Sequence, residues 1–285
     1  MSYTENYQKW LDFAELPAYL RDELVAMDEK TKEDAFYTNL EFGTAGMRGL
    51  IGAGTNRINI YVVRQATEGL AQLIDSKGEE AKKRGVAIAY DSRHFSPEFA
   101  FESAQVLAAH GIKSYVFESL RPTPELSFAV RHLHTFAGIM VTASHNPAPF
   151  NGYKVYGEDG GQMPPADADA LTDYIRAIEN PFTVQLADLE ESKASGLIEV
   201  IGENVDAEYL KEVKGVNINQ DLINEYGRDM KIVYTPLHGT GEMLARRALA
   251  QAGFDSVQVV EAQATADPDF STVKSPNPES QAAFA

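Results

Sequence analysis

The feature that most constrains the fold is an alternation of short apolar runs and helical patterns between residues 86 and 178. The run 86–90 is apolar throughout, as expected for a strand that is buried on both faces. Similar runs cover 114–117 and 136–141. Ser96 and Thr123 are predicted to cap two helices, and each is followed by a proline, which the first helical turn tolerates. The alternation predicts an α/β layer with a mixed or parallel sheet.

The remaining segments extend this pattern on both sides. Apolar residues at helical spacing predict helices at 7–30 (one helix or a pair), 56–74, 164–178 and 242–252. Short apolar runs predict strands at 152–156, 231–235 and 256–260. Few periodic apolar residues occur between 180 and 206, so we expect a domain boundary there. The sequence predicts a first domain at residues 1–190 and a second, incomplete α/β domain at 191–285.

Composition excludes several classes of protein. The net charge of −17 disfavours binding to nucleic acid and to anionic membranes. The chain has no cysteine, which excludes disulfides, thiolate nucleophiles and Cys-ligated metals. No stretch approaches the roughly 20 apolar residues that span a bilayer. We therefore expect a cytoplasmic protein that binds neither nucleic acid nor membrane.

The motif Thr142-Ala-Ser-His-Asn-Pro147 directly follows a predicted buried strand. Ligands of α/β sheets bind where such strands end, so the Ser144 hydroxyl could accept a phosphoryl group. An ordinary turn explains the composition of the loop as well, and taken alone it is the more common outcome. A serine hydrolase is disfavoured, since nothing resembles the G-x-S-x-G elbow and His145 is adjacent to the serine.

Three further segments could serve an anion site. In Gly43–Gly49, glycines expose backbone amides and Arg48 adds a cation, although for this segment taken alone a flexible loop is the more common outcome. This segment is not a P-loop, because no Gly-Lys-Ser/Thr follows. Lys154 could bind phosphate or move a proton, or it could be a solvated surface residue. Asp91 and Arg93 end a strand, where they could face the cleft or form an internal salt bridge.

Other motifs are interpreted as structural. Gly52-Ala-Gly54 is not a dinucleotide fingerprint, since no strand is predicted before it. The acids of 166–170 lie in a predicted helix, where positions i and i+2 do not share a face. Asp267-Pro-Asp269 has only two acids, so a metal site is disfavoured there. We interpret 238–241 as a tight turn between a strand and a helix.

Together, four segments resemble the α-D-phosphohexomutase family in order and approximate spacing. They are Gly43-Thr-Ala-Gly-Met-Arg-Gly49, Asp91-Ser-Arg93, Thr142-Ala-Ser-His-Asn-Pro147 and Asn151-Gly-Tyr-Lys154. The segments at 234–241 and 267–270 are similar to the bacterial phosphoglucomutase branch, which also resembles phosphopentomutases. The resemblance implies a mixed-sheet, three-layer α/β/α domain followed by a second, incomplete α/β domain.

The resemblance also implies roles for individual residues. Ser144 is similar to the phosphoserine of the family, and its phosphoryl oxygen would be a metal ligand. His145 resembles a residue that organises phosphoryl transfer, and Lys154 resembles a proton-transfer residue. Thr44 and Arg48 resemble residues that contact substrate. The supporting residues expected beside them are Asp91, Arg93 and Asn146.

The family reaction interconverts glucose 1-phosphate and glucose 6-phosphate through a phosphoserine and a bisphosphate intermediate. The resemblance therefore implies a hexose phosphate substrate, Mg²⁺ and a glucose 1,6-bisphosphate primer. The Asp-rich metal loop, the sugar-reading loop and the distal phosphate loop of the family are not found in the sequence. We expect a fragment that is inactive or nearly so without the missing C-terminal domains. A phosphopentomutase, a glucose 1,6-bisphosphate synthase and a non-catalytic sugar-phosphate-binding protein remain alternatives.

Overall fold

A six-stranded mixed sheet forms the centre of the computed structural model, which describes residues 2–43 and 46–284. Its strands are β1 (Met47–Leu50), β2 (Val86–Tyr90), β3 (Ser114–Phe117), β4 (Ala137–Val141), β5 (Phe150–Tyr156) and β6 (Ile198–Ile201). Their order is β1-β5-β4-β2-β3-β6. Strand β5 is antiparallel to β1 and β4, and the other pairs are parallel. The predicted mixed sheet is confirmed.

Helices cover both faces of this sheet. The helices of this part of the chain are α1 (Tyr3–Asp12), α2 (Ala18–Ala26), α3 (Glu29–Phe36), α4 (Ile60–Lys77), α5 (Glu79–Arg84), α6 (Ser96–Ala109), α7 (Thr123–His132), α8 (Pro165–Ala177), α9 (Leu189–Ala194) and α10 (Glu203–Gly215), with a 3₁₀ turn at Pro181–Thr183. Helices α4, α6 and α8 pack on one face, and α7 and α10 on the other. This is the three-layer α/β/α arrangement that was expected.

The alternation of side chains along β2 divides the core between the two faces. Ile88 and Tyr90 point into the cluster beneath α4 and α6, and Ala87 and Ala89 point into the cluster beneath α7. Ile88 is fully buried, and burying a side chain of this size contributes about 1.5–3 kcal/mol. The sheet edge that carries the polar loops therefore rests on a core that is closed on both sides.

The N-terminal helices form a smaller aromatic cluster of their own. The Trp10 ring meets Phe36 and Tyr61 edge to face, with ring centroids 5.8 and 5.6 Å apart. A capping box of Ser2 and Glu5 begins α1, and the Asp28 side chain caps α3. The helix or helix pair predicted for 7–30 is thus three short helices. Among the described residues, none of the helices could cross a membrane.

A second, smaller α/β unit follows α10. It consists of α11 (Gln220–Tyr226), β7 (Ile232–Tyr234), α12 (Gly241–Ala252) and β8 (Val257–Val259), with 3₁₀ turns at Glu261–Gln263 and Gln281–Ala283. Strands β7 and β8 are parallel and form a two-stranded sheet. Gly253 ends α12 in the left-handed conformation, with φ of 108°.

Several local predictions need correction. Strand β1 lies in the Gly-rich stretch, so the statement that no strand precedes Gly52 was wrong. Ser96 and Thr123 are the first residues of their helices, whereas the cap positions belong to Phe95 and Pro122. Strand β6 pairs with β3, so the first sheet extends to Ile201. The division of the chain at residues 190 and 191 stays a prediction.

Candidate active site

The two polar loops singled out in the sequence lie together at one edge of the first sheet. Strands β2 and β4 are parallel neighbours, so the segments that follow them, 91–93 and 142–147, emerge side by side. A cavity of about 350 Å³ lies between these loops and the second α/β unit. Its wall includes Asp91, Thr142, Ser144 and His145, together with Phe270 of the second unit.

The buried Arg93 side chain binds the loop of residues 142–150, which is called the serine loop below. Its side chain is only 2% exposed, and its two terminal nitrogens donate to four backbone carbonyls. The acceptors are the carbonyl oxygens of Ser144 (2.9 Å), Asn146 (2.6 Å), Pro147 (3.0 Å) and Phe150 (2.9 Å). Because one rigid guanidinium makes all four bonds, the path of the loop is fixed by a single side chain. Arg93 thus lies inside the protein and supports the loop that carries Ser144.

Asp91 joins the two loops through a chain of hydrogen bonds. The Thr142 hydroxyl donates to Asp91 and accepts from the backbone N–H of Ser144 at 2.9 Å. Asp91 also accepts from the Ser96 hydroxyl at 2.8 Å and from the Arg93 backbone at 3.0 Å. Burial raises the pKa of Asp91, and the Thr142 hydrogen bond and the Arg93 guanidinium oppose that rise. The carboxylate is thus a structural acceptor.

Ser144 itself is exposed at the mouth of the cavity. Its φ is 57°, in the left-handed region that residues other than glycine seldom occupy. A conformation of this kind persists only where surrounding contacts fix it, and here Arg93 and Thr142 do so. His145 is also exposed and lines the same cavity. The loop therefore presents the Ser144 hydroxyl to the cavity while its backbone is held.

Arg48 reaches the serine loop from β1. It is exposed and donates from one terminal nitrogen to the Asn146 side-chain oxygen at 2.6 Å. Strand β1 can approach β5 because Gly152 faces it, where an added Cβ would lie 2.8 Å from the Met47 carbonyl oxygen. A cation is thereby placed beside the loop that carries Ser144. Asn146 serves as the link between them.

Lys154 lies on β5, half-buried, in register with Met140 of β4, which lines the cavity. Burial lowers the pKa of Lys154, and the neighbouring positive charge of Arg48 lowers it further. A lysine with a lowered pKa is better able to exchange a proton near neutral pH. Lys154 is therefore more than a solvated surface residue, although it is not part of the cavity wall.

Most of the residues expected from the sequence thus converge on one edge of the sheet. Thr44 is the exception, because it lies outside the described residues. Sequence reasoning missed Thr142, although a threonine two residues before a turn serine is a recognisable signal for a side-chain to backbone hydrogen bond. It also missed Phe270, whose contact with Arg93 joins distant parts of the chain.

The segments read as structural have defined local roles. Asp267 accepts hydrogen bonds from the backbone of Asp269 and Ser271, both at 2.9 Å. His238 is buried, with its ring nitrogens near the Thr265 carbonyl oxygen and the Thr272 hydroxyl. Among the described residues, no group of three or more His, Asp or Glu side chains could hold a metal ion.

Comparison with known proteins identifies relatives for both α/β units. Residues 39–182 match the family model described as phosphoglucomutase/phosphomannomutase, alpha/beta/alpha domain I, and residues 207–285 match domain II of the same family. A phosphoglucomutase of Staphylococcus haemolyticus is 41% identical over 271 residues, and one of Staphylococcus epidermidis is 38% identical over 276. These alignments cover 93% and 96% of this chain and 48% of each relative. The chain thus spans about half the length of the curated relatives it matches.

A solved structure agrees with this relationship. A Thermus thermophilus protein named as a candidate phosphomannomutase superposes with a TM-score of 0.68 at 25% sequence identity. The match covers 83% of this chain and 48% of that protein.

Proposed function

Because the chain belongs to the phosphoglucomutase/phosphomannomutase family, a family of isomerases, we propose that it carries the phosphoryl-transfer site of a phosphoglucomutase. In this proposal Ser144 alternately gives a phosphoryl group to a hexose phosphate and takes one back. The substrate pair is glucose 1-phosphate and glucose 6-phosphate, with glucose 1,6-bisphosphate as intermediate and primer.

The observation that supports this role is the setting of the Ser144 hydroxyl. It is exposed to a cavity, while the backbone of its loop is held by the buried Arg93 and by Thr142. Phosphoryl transfer depends mainly on positioning and on charge neutralisation. A phosphoserine carries close to two negative charges, and Arg48 of β1 binds the same loop through Asn146, where its positive charge can offset them. The setting suits a hydroxyl that must be both accessible and fixed.

The transfer step balances as follows. A hydroxyl oxygen of the sugar phosphate forms a bond to phosphorus as the bond between phosphorus and Ser144 Oγ breaks. The proton of the sugar hydroxyl passes to the neutral amine of Lys154, and Ser144 Oγ takes a proton from water as it leaves. Lys154 then releases its proton to the resulting hydroxide, so no net proton is gained or lost. The bisphosphate then reorients, and the reverse step returns its other phosphoryl group to Ser144. The lowered pKa of Lys154 favours its role as the acceptor of that proton.

Magnesium requires a separate judgement. The proposed metal ligand on this chain is the phosphoryl oxygen on Ser144. One such oxygen does not complete a site, and the described residues offer no cluster of acids or histidines to do so. The residues described thus do not fit a complete Mg²⁺ site. Accordingly, we expect little steady-state turnover from this chain alone.

The proposal is tested by asking where phosphate goes. The chain is incubated with glucose 1,6-bisphosphate and Mg²⁺, and its phosphorylation is mapped by peptide mass spectrometry. We expect one phosphoryl group, on Ser144, and none on Ser144→Ala. Circular dichroism of the variant checks that its fold is intact. Absence of phosphate from the wild-type protein, or equal labelling of Ser144→Ala, would overturn the assignment.

Lys154 provides a second readout. Lys154→Arg keeps the positive charge but holds its proton, so we expect its rate of Ser144 labelling to fall by at least about tenfold. Lys154→Gln removes both the positive charge and the proton transfer, so Ser144 should be labelled no faster in it than in Lys154→Arg. Equal rates for the wild-type protein and Lys154→Arg between pH 6 and pH 9 would exclude proton transfer by this residue. Ribose 1,5-bisphosphate, offered in parallel, separates a hexose from a pentose phosphate substrate by the labelling rates.

A further inference from the structure

Phe270 lies in a turn that has no regular secondary structure, yet it is tightly held. Its side chain is 5% exposed, and its φ is 51°. An aromatic residue in the left-handed region is uncommon and requires contacts that maintain it. Asp267 supplies them locally, since its carboxylate binds the N–H groups of Asp269 and Ser271. Hydrogen bonds to Asp267 therefore hold the backbone of the turn on both sides of Phe270.

The Phe270 ring faces the Arg93 guanidinium. The centre of the guanidinium lies 5.1 Å from the Phe270 ring centroid, within the range of a cation–π interaction. The terminal nitrogens of Arg93 are engaged by the four carbonyls of the serine loop. Arg93 Nε lies 3.3 Å from the Asp91 carboxylate, and within residues 2–43 and 46–284 it has no hydrogen-bond partner. The Phe270 ring thus makes a further contact with the guanidinium that binds the Ser144 loop.

A polar contact beside the Phe270 ring joins the same two segments, the loop after β2 and the turn at residues 267–271. His94 Nε2 and Asp269 Oδ1 lie 2.7 Å apart, and each is the chain neighbour of a residue in the Arg93–Phe270 pair. Two adjacent residues of one loop thus contact two adjacent residues of the other. Such a paired contact fixes the position of the second unit's turn against the loop after β2.

We propose that Phe270 is a positioning residue for the phosphoryl-transfer site. Its ring restricts Arg93 to the orientation that binds the four loop carbonyls, and so holds the Ser144 hydroxyl toward the cavity. The second α/β unit thereby stabilises the nucleophile loop without touching the reacting atoms. This inference rests on the proposed function for its catalytic meaning, but its structural part can be tested alone.

Hydrogen exchange on the full 285-residue chain tests the proposal. The backbone N–H groups of Ser144, Asn146 and Phe150 are bonded within the loop and report on its opening. Those of β2 serve as an internal reference for the core. Phe270→Leu keeps an apolar side chain but loses the aromatic face, and Phe270→Tyr keeps the face. Arg93→Lys is the positive control, because lysine cannot bind four carbonyls.

We expect Phe270→Leu to speed exchange in the serine loop roughly tenfold, with β2 unchanged, and Phe270→Tyr to stay within about twofold of the wild-type protein. Faster loop exchange in Arg93→Lys but not in Phe270→Leu would overturn the role of Phe270. Faster exchange in β2 as well would mean that Phe270 only stabilises the fold. Unchanged exchange of the serine loop in both Phe270→Leu and Arg93→Lys would show that Arg93 does not hold the loop, and the proposal would fail.

The exchange measurement does not require phosphoryl transfer. If Ser144 is never labelled by glucose 1,6-bisphosphate while the loop still loosens in Phe270→Leu, then the proposed function fails and the coupling between the units stands. If Ser144 is labelled but the loop is unaffected, then the proposed function stands and the role of Phe270 is wrong. The two proposals therefore fail on different observations.

Discussion

The six-stranded sheet and the two-stranded sheet differ in how their strands are covered. Every residue of β2 and β4 is buried, whereas the central residues of β7 and β8 are exposed and their ends are half-buried. Ile88 is fully buried, and Val233 is 73% exposed. The first sheet can therefore position loops rigidly at its edge. The second unit contributes to the cavity through a turn that is held by contacts outside its own sheet.

Exposed apolar side chains show the same contrast. A run of large apolar residues in the second unit and just before it is more than half exposed: Val216, Ile218, Leu222, Tyr226, Met230 and Val233. Local stability follows the density of buried apolar contacts, so we expect the second unit to open more readily than the first. The junction between the units is then important for the stability of the second.

Replacing Arg121 should have the largest effect, because Arg121 binds Asp206 of α10, the helix that packs on α12 of the second unit. Arg121 is 1% exposed and binds both carboxylate oxygens of Asp206, each at 2.8 Å. Arg121→Met leaves Asp206 buried without its partner, and we expect a loss of about 3–5 kcal/mol in the free energy of unfolding. Since α10 packs on α12, the second unit should also unfold at lower urea concentration than the first.

Circular dichroism and Trp10 fluorescence, followed in urea, measure this effect. Arg246→Met is the matched control, because the exposed Arg246 pairs with Glu242 within α12 and should cost less than about 1 kcal/mol. Equal losses in the two variants would show that burial of the Arg121 pair is not what joins the units.

A pair of core truncations sharpens the comparison of the two sheets. Ile88→Ala should lower the free energy of unfolding by about 2–5 kcal/mol, because it creates a cavity between packed layers. Val233→Ala, at the centre of β7, should change it by less than about 0.5 kcal/mol. Urea unfolding of both variants gives the difference. A large loss in Val233→Ala would mean that β7 is covered in solution, and the contrast between the sheets would fail.

A pH-dependent contribution to stability is expected in the first unit at His110. His110 Nδ1 and Nε2 lie 2.7 Å from Asp75 and 2.9 Å from Glu68, and these carboxylates raise the pKa of His110 to about 9. Because the folded-state pKa is raised, the stabilisation is complete below about pH 6.5 and is lost as pH rises through about 9. We expect about 2 kcal/mol to be lost between pH 6 and pH 10.

His110→Gln should lack this loss, so the measurement compares the urea unfolding of both proteins at the two pH values. Subtracting one from the other removes groups such as Glu125, whose pKa is also raised to about 9. Parallel changes in both proteins with pH would show that His110 does not carry the effect.

The sequence was sufficient to predict the elements whose stability is local. Strands β2 and β4 have continuous apolar runs, and α6 and α7 carry their start signals, so each could be located without knowledge of its neighbours. Strands β1 and β6 were missed because a charged residue, Arg48 in β1 and Glu199 in β6, interrupts each four-residue run. Their strand conformation depends on pairing with β5 and β3, which a local pattern does not reveal.

The same distinction applies to the candidate site. Ser144, Asp91 and Lys154 could be chosen because strand ends and residue types mark them. For Arg93 the sequence left two alternatives, a place in the cleft or an internal salt bridge. Its four carbonyl acceptors could not be predicted, because they depend on how the loop folds back. The contact between Asp269 and His94 joins residues 175 positions apart, and no spacing rule predicts it.

The left-handed backbone at Ser144 restricts which residue could serve there as the proposed phosphoryl acceptor. A branched Cβ is crowded at positive φ, so threonine would strain the same backbone although it also carries a hydroxyl. Glycine and asparagine would fit the backbone but lack a hydroxyl to phosphorylate. Among the two aliphatic hydroxyl residues, only serine satisfies both the backbone and the chemistry. The backbone conformation therefore restricts which amino acids fit at position 144, independently of their reactivity.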